Sequence, residues 1–99
     1  MTKEERIRGY LGLAARAGRM ESGEFSVEKA VKSGRAHLVL IAEDASDNTK
    51  KKFQNMCAYH EVPYLLFGDR ETLGHVIGRE FRATACVTDI KLAKAIREL

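Results

Sequence analysis

The seven residues from Ala36 to Ala42, "AHLVLIA", are almost continuously apolar. A strand with one wet face alternates polar and apolar side chains, so an unbroken run of this length reads as a strand buried on both faces of a sheet. Such a strand belongs near the sheet centre and needs a covering layer above and below. The flanking segments supply the layers. Thr2 followed by Glu5 has the form of a capping box, and Ile7, Tyr10, Leu11 and Ala14 then recur at helical spacing until Gly18 offers a stop. After an extended piece around Arg19 to Glu21, Ser22 stands where it can cap a second helix, with Val27, Ala30 and Val31 as the apolar stripe and Gly34 at its end.

Beyond the central strand the alternation continues. "EDASDNTKKK" turns the chain, and Ser46 or Asp47 caps a third helix on which Phe53, Met56, Cys57 and His60 share a face. "VPYLLFG" is the next strand, with Pro63 suited to the first residues of a strand or to an exposed edge. Asp69 caps a fourth helix carrying Leu73, Val76 and Ile77, with Gly78 as its stop. "ATACVT" is a further strand, and Asp89 opens a last helix that turns Leu92, Ala93, Ile96 and Leu99 inward. No repeat, low-complexity tract or linker interrupts the series, and 99 residues are enough to bury a core without disulfides or metal. The expectation is a single domain over residues 1–99 of the α/β class, one sheet sandwiched between helical layers.

Charge narrows the search for a function. Lys and Arg number 17 against 14 Asp and Glu, a net charge of only +3, which permits an anionic partner without demanding one. Up to residue 36 there are eight basic and five acidic residues, and afterwards nine of each, so the excess lies in the N-terminal third. Cys57 and Cys86 have neither zinc-site spacing nor the number of a secreted disulfide framework, which suits a reduced cytosolic protein. "MTKEERIRGY" lacks the apolar core of a signal peptide, and no run approaches transmembrane length. The expected location is the cytoplasm, with no membrane partner.

Within the basic third, the second helix is unusual. At roughly 100° per residue, pointing Val27, Ala30, Val31 and Gly34 inward sends Phe25, Lys29 and Lys32 out on the opposite side. The helix start presents free backbone N–H groups and the positive end of the dipole, and Gly23 admits a ligand backbone without an intervening side chain. Cation, donor and stacking surface together match what unpaired RNA needs. The alternative is that Phe25 tucks under the first helix or a loop and the lysines are merely solvated.

The segments "SGEFSVEKAVKSGRAHLVLIAEDAS", "CAYHEVPYLLFGDRETLGHVIGRE" and "ACVTD" resemble the kink-turn RNA-binding ribosomal protein superfamily that includes the archaeal L-seven-Ae proteins, and most closely its small bacterial YlxQ-type branch. The resemblance covers nearly the whole chain. It implies a three-layer α/β/α sandwich with a mixed sheet of about four strands. In kink-turn binders of that family the second helix opens with Gly-x-Asn-Glu-x-x-Lys, a frame that falls here on Gly23, Glu24, Phe25, Ser26, Val27, Glu28 and Lys29. Glycine and lysine match; Phe25 and Ser26 stand where the family carries Asn and Glu. Phenylalanine supplies no amide donor or acceptor, and a serine hydroxyl does not imitate a carboxylate accepting from guanine. A second family element, a loop before the last strand where an apolar pair packs on an extruded nucleotide, falls on Arg79, Glu80 and Phe81. There Arg79 offers phosphate contact or guanidinium stacking and Phe81 a base platform, unless Phe81 folds back on the sheet.

Other constellations carry less. Cys57 and His60 lack further ligands for a metal and read as core residues. Glu43 and Asp44 follow the central strand, where α/β ligand sites gather; they resemble the family's "AED" segment, which implies support of the RNA-facing edge, with loop solvation and helix capping as the alternatives. Lys50, Lys51 and Lys52 decorate a helix face. No phosphate-binding loop, nucleophile elbow or acid pair points to catalysis, and no cofactor is expected. The expected function is non-enzymatic RNA binding linked to the ribosome or translation. Structured RNA, with ribosomal RNA as one candidate, would be contacted by a monomer through Gly23, Glu24, Phe25, Ser26, Lys29, Lys32, Arg79, Glu80 and Phe81. The alternative is a protein-interaction module on the same fold, anchored by Phe25. A third class, a small-molecule enzyme using Cys57 or His75, has least support.

Overall fold

All four residues of the strand Leu38–Ile41 are fully buried, as the apolar run requires, although only the middle of "AHLVLIA" is extended. In the computed structural model, which describes residues 1–99, the order is α1 (Lys3–Arg16), β1 (Met20–Ser22), α2 (Glu24–Lys32), β2 (Leu38–Ile41), α3 (Asp47–His60), β3 (Tyr64–Leu66), α4 (Arg70–Val76), β4 (Thr84–Val87) and α5 (Ile90–Arg97). The strands form one mixed sheet in the order β1-β4-β2-β3. β4 runs antiparallel to both β1 and β2, with Leu38 and Met20 each opposite Val87, while β3 lies parallel to β2 with Val39 opposite Tyr64. α1 packs against α4 and α5, and α2 packs against α3. The result is the three-layer sandwich expected, with β2 and β4 as its inner strands. Leu11, Val27, Leu40, Phe53, Leu73, Val87 and Ile96 meet in one core.

Local chemistry explains the helix boundaries. Thr2 and Glu5 complete the capping box of α1, with Thr2 Oγ1 accepting from the Glu5 N–H at 3.1 Å and Glu5 Oε1 accepting from the Thr2 N–H at 2.9 Å. Ser46, Asp69 and Asp89 cap α3, α4 and α5 by accepting from the N–H groups of Thr49, Thr72 and Leu92. α1, α2 and α4 each end two residues before the glycine read as their stop.

One expectation is corrected. Ser22 does not cap α2: it is the last residue of β1, Gly23 is the N-cap, and no side chain caps that end. The Ser22 hydroxyl instead accepts from Arg82 Nε at 3.0 Å. The "VPYLLFG" strand lies at the edge of the sheet, one of the two places Pro63 suited: β3 pairs only with β2, and Tyr64 and Leu66 are exposed. Pro63 therefore precedes an edge strand, where its missing N–H costs no ladder bond.

Thr84 is the one buried polar residue of the core, and its Oγ1 has no hydrogen-bond partner. Removing an unsatisfied buried hydroxyl without changing side-chain shape relieves its desolvation cost, so Thr84→Val is expected to raise stability by about 1 kcal/mol, read from the urea midpoint. A clear loss would contradict the unpaired hydroxyl. Acid sensitivity follows from the caps. The carboxyls of Glu5, Asp69 and Asp89 lie below the usual range because each accepts a backbone N–H, and that of Glu28 because it accepts from Lys32 and Lys52. Their folded pKa values lie below their unfolded ones, so the stability they contribute is complete above roughly pH 5 and is lost as pH falls through the folded values. The melting temperature should hold level from pH 7 to about pH 5 and decline below about pH 4; a flat profile to pH 2 would remove these carboxylates from the account.

Candidate nucleic-acid interface

Because β4 opposes its neighbours, β1, β2 and β3 all finish at the end of the sheet where β4 begins. The start of α2 and the loop from Ile77 to Ala83 meet there. Gly23 makes the turn from β1 into α2 with φ 90° and ψ 151°, a conformation essentially restricted to glycine, and its N–H donates to the Thr84 carbonyl at 3.0 Å. The first bond of α2 then runs from the Val27 N–H to the Gly23 carbonyl at 3.0 Å. With no side-chain cap, the N–H groups of Glu24, Phe25 and Ser26 remain free for an acceptor, at the positive end of the helix dipole.

The outer face of α2 carries the residues its periodicity assigned there. Phe25 is 81% exposed, so it does not tuck under α1 or a loop. Glu24 and Lys29 are exposed and Ser26 half-buried. Phe25, Glu28, Lys29, Lys32 and Ser33 line an open groove. Lys32 is less free than its spacing suggested: its ammonium lies 2.7 Å from Glu28 Oε2, while Lys52 reaches Glu28 Oε1 at 3.0 Å from α3. Lys29 has no ion pair and follows the free N–H groups by about one turn of the same helix.

Arg79, Glu80 and Phe81 form an exposed turn between α4 and β4. Phe81 is 60% exposed and does not fold back onto the sheet. The turn is held by contacts the sequence pattern did not announce. The Arg79 N–H donates to the Gly74 carbonyl at 2.7 Å, and a Cβ at Gly74 would stand 2.5 Å from the Glu80 carbonyl oxygen, so the loop backbone rests on the bare Cα of α4. Arg82 joins the two halves of the site: Nε donates to Ser22 Oγ, and Nη1 donates to the Phe81 carbonyl at 2.7 Å. Sequence reasoning passed over Gly74 and Arg82, since a glycine inside a helical pattern and an arginine before a strand carry no spacing signal of their own.

Among the remaining candidates, Asp44 has a structural role. Asp44 receives the Arg70 N–H at 2.8 Å and pairs with its guanidinium at 3.5 Å, tying the loop after β2 to the start of α4; Glu43 is exposed beside it. Burial pushes the Cys57 thiol up to about 11 and the Cys86 thiol up to about 12, so both stay protonated and poorly nucleophilic at neutral pH. Cys57 is a core residue as expected, but His60 is only half-buried and stacks edge-on against Tyr59 with centroids 4.9 Å apart; His75 is exposed on α4.

Comparison with known proteins bears on the family and the fold. The sequence pattern of the ribosomal protein L7Ae/L30e/S12e/Gadd45 family matches residues 5–96. The chain belongs to that family. It is 46% identical over 89 residues to the RNA-binding protein YlxQ of Bacillus subtilis (strain 168), covering 90% of this chain and 89% of that one. It is 35% identical over 96 residues to the RNA-binding protein YlxQ of Enterococcus faecium, covering 96% and 91%. A solved Bacillus halodurans C protein of unknown function shares 36% identity and a TM-score of 0.89 over 93% of each chain. A Giardia lamblia 15.5kD RNA binding protein superposes with a TM-score of 0.83 at 22% identity, over 99% of this chain and 85% of that one, a likeness of fold.

Gly74 gives the site a direct test. Alanine inside a helix normally favours it by about 1 kcal/mol over glycine. Here the backbone contact reverses the sign: Gly74→Ala should destabilise by about 1–3 kcal/mol, lowering the urea midpoint, with the largest amide chemical-shift changes at Arg79 to Phe81. A stabilised variant with an unmoved turn would refute the contact.

Proposed function

We propose that this chain is a non-enzymatic RNA-binding protein of the cytoplasm, linked to the ribosome or translation, that acts as a monomer on structured RNA such as ribosomal RNA. The observation that carries the reading is the exposed Phe25 ring beside three free helix N–H groups and the unpaired Lys29. The names of the YlxQ relatives support it, and no helix is long and apolar enough to cross a membrane.

The chemistry divides among the residues. Gly23 lets the RNA backbone approach, the free N–H groups and Lys29 take phosphate oxygens, and Phe25 stacks on a base. Ser26 offers one short hydrogen bond, Lys32 a partly engaged charge, and Glu24 and Glu80 acceptors for base amino groups. Across the Arg82 bridge, Arg79 takes phosphate or stacks, and Phe81 forms a second platform. With Phe25 and Ser26 in place of the amide and carboxylate that read tandem G·A pairs, stacking and phosphate contacts outweigh base-edge reading. RNA crosslinked to the protein in its own cell and sequenced should therefore show no strong enrichment of tandem G·A motifs; strong enrichment would restore kink-turn reading.

With the recovered RNA, Lys29→Ala should weaken binding and lower the log–log salt slope by about 1, and Lys32→Ala should do less. The melting temperature should not move, because Lys29 is exposed and unpaired. Binding that ignores both salt and Lys29 would instead favour a protein partner gripped by Phe25.

A further inference from the structure

We infer that RNA held at the start of α2 continues as a single strand over the outer surface of the α2–α3 layer as far as Tyr59, an extension that rests on the reading of the α2 start as an RNA site. β1 and β2 both oppose β4 and so point the same way. α2 leaves the end of β1, α3 leaves the end of β2, and the two helices pack side by side, so they run in the same direction. Glu28 fixes their register, with one carboxylate oxygen on Lys32 and the other on Lys52 of the neighbouring helix.

That register places an aromatic at each end of a basic strip. Phe25 lies one turn before Glu28. On α3, Lys52, Asn55 and Tyr59 recur at spacings of three and four and share a face, with Tyr59 two turns beyond Lys52. Ten residues of helix separate the two rings along the common axis, roughly 15 Å at 1.5 Å per residue. A strand stacked at about 3.4 Å per nucleotide covers that distance with about four nucleotides. Tyr59 is 84% exposed, and His60 braces its ring edge-on, leaving a face open for a base.

The ground between the rings suits a phosphate backbone. Lys32 and Lys52 share the Glu28 carboxylate and Lys29 has no ion pair, so positive charge remains after pairing. Each ammonium carries three donors, and Glu28 engages one from each of two, leaving the others for phosphate oxygens. On the α2 side the strip is an open groove of about 450 Å³ lined by Phe25, Glu28, Lys29, Lys32 and Ser33. Two platforms joined by a cationic track bind single strands with little regard to sequence.

Ultraviolet crosslinking in the protein's own cell, followed by mass spectrometry of the modified peptides, tests the path. Nucleotide adducts are expected on both Phe25 and Tyr59. Adducts on Phe25 with none on Tyr59 would overturn the extension and leave the α2 site standing; adducts on neither would overturn both. The RNA fragments recovered in that experiment provide the second measurement. Tyr59→Ala should weaken binding of the full fragments about tenfold, Tyr59→Phe should not, and both variants should match the wild type on fragments trimmed short of Tyr59 by about four nucleotides. Equal affinity of Tyr59→Ala and wild type for the full fragments would sink the proposal. Because Tyr59 is exposed at a helix end, the substitution leaves the core intact, which an unchanged melting temperature verifies.

Discussion

Complete burial of β2 and β4 is the constraint on which the rest of the structure depends. Two adjacent strands with no wet face need apolar helices on both sides, so α2 and α3 cover one face while α1, α4 and α5 cover the other. The antiparallel placement of β4 between β1 and β2 then brings three strand ends and one strand start to a single edge. Backbone groups that leave the sheet at that edge need partners, and the loops that supply them carry the exposed aromatic and basic side chains.

The edge is held by a few specific contacts rather than by a second core. Gly23 turns β1 directly into α2 and remains bonded to the Thr84 carbonyl, so the free helix N–H groups sit against the sheet instead of on a loose loop. Arg82 links Ser22 to the Phe81 carbonyl, Gly74 gives the turn a surface to rest on, and Asp44 ties the neighbouring loop to α4. These contacts orient groups that would otherwise spend conformational entropy on each encounter with a ligand. Glu28 does the same for two lysines across the α2–α3 seam.

Much of the fold was legible because its signals are local. Thr2 with Glu5, and Ser46, Asp69 and Asp89, declare helix starts through hydrogen bonds spanning three residues, and the stripe of Val27, Ala30 and Val31 declares which side of α2 faces the core. Strand extents were less legible. Ala36 and Ala42 are buried yet lie outside β2, since burial and hydrogen-bonded extension are separate properties. Ser22 was misassigned for a related reason: its residue type suits an N-cap, but β1 claims its backbone and Arg82 claims its hydroxyl.

What the sequence determined by itself was the alternation of elements, the buried stripe of each helix and the outward placement of Phe25, Lys29 and Lys32, all fixed by periodicity within a few turns. Only the tertiary structure decided that Phe25 and Phe81 stay open and that Lys32 is engaged by Glu28 while Lys29 is free. It also decided that Ser22 meets an arginine sixty residues further along the chain. A residue's face on a helix follows from its neighbours on the same turn, whereas its bonding partners depend on which distant segments the closed sheet brings beside it.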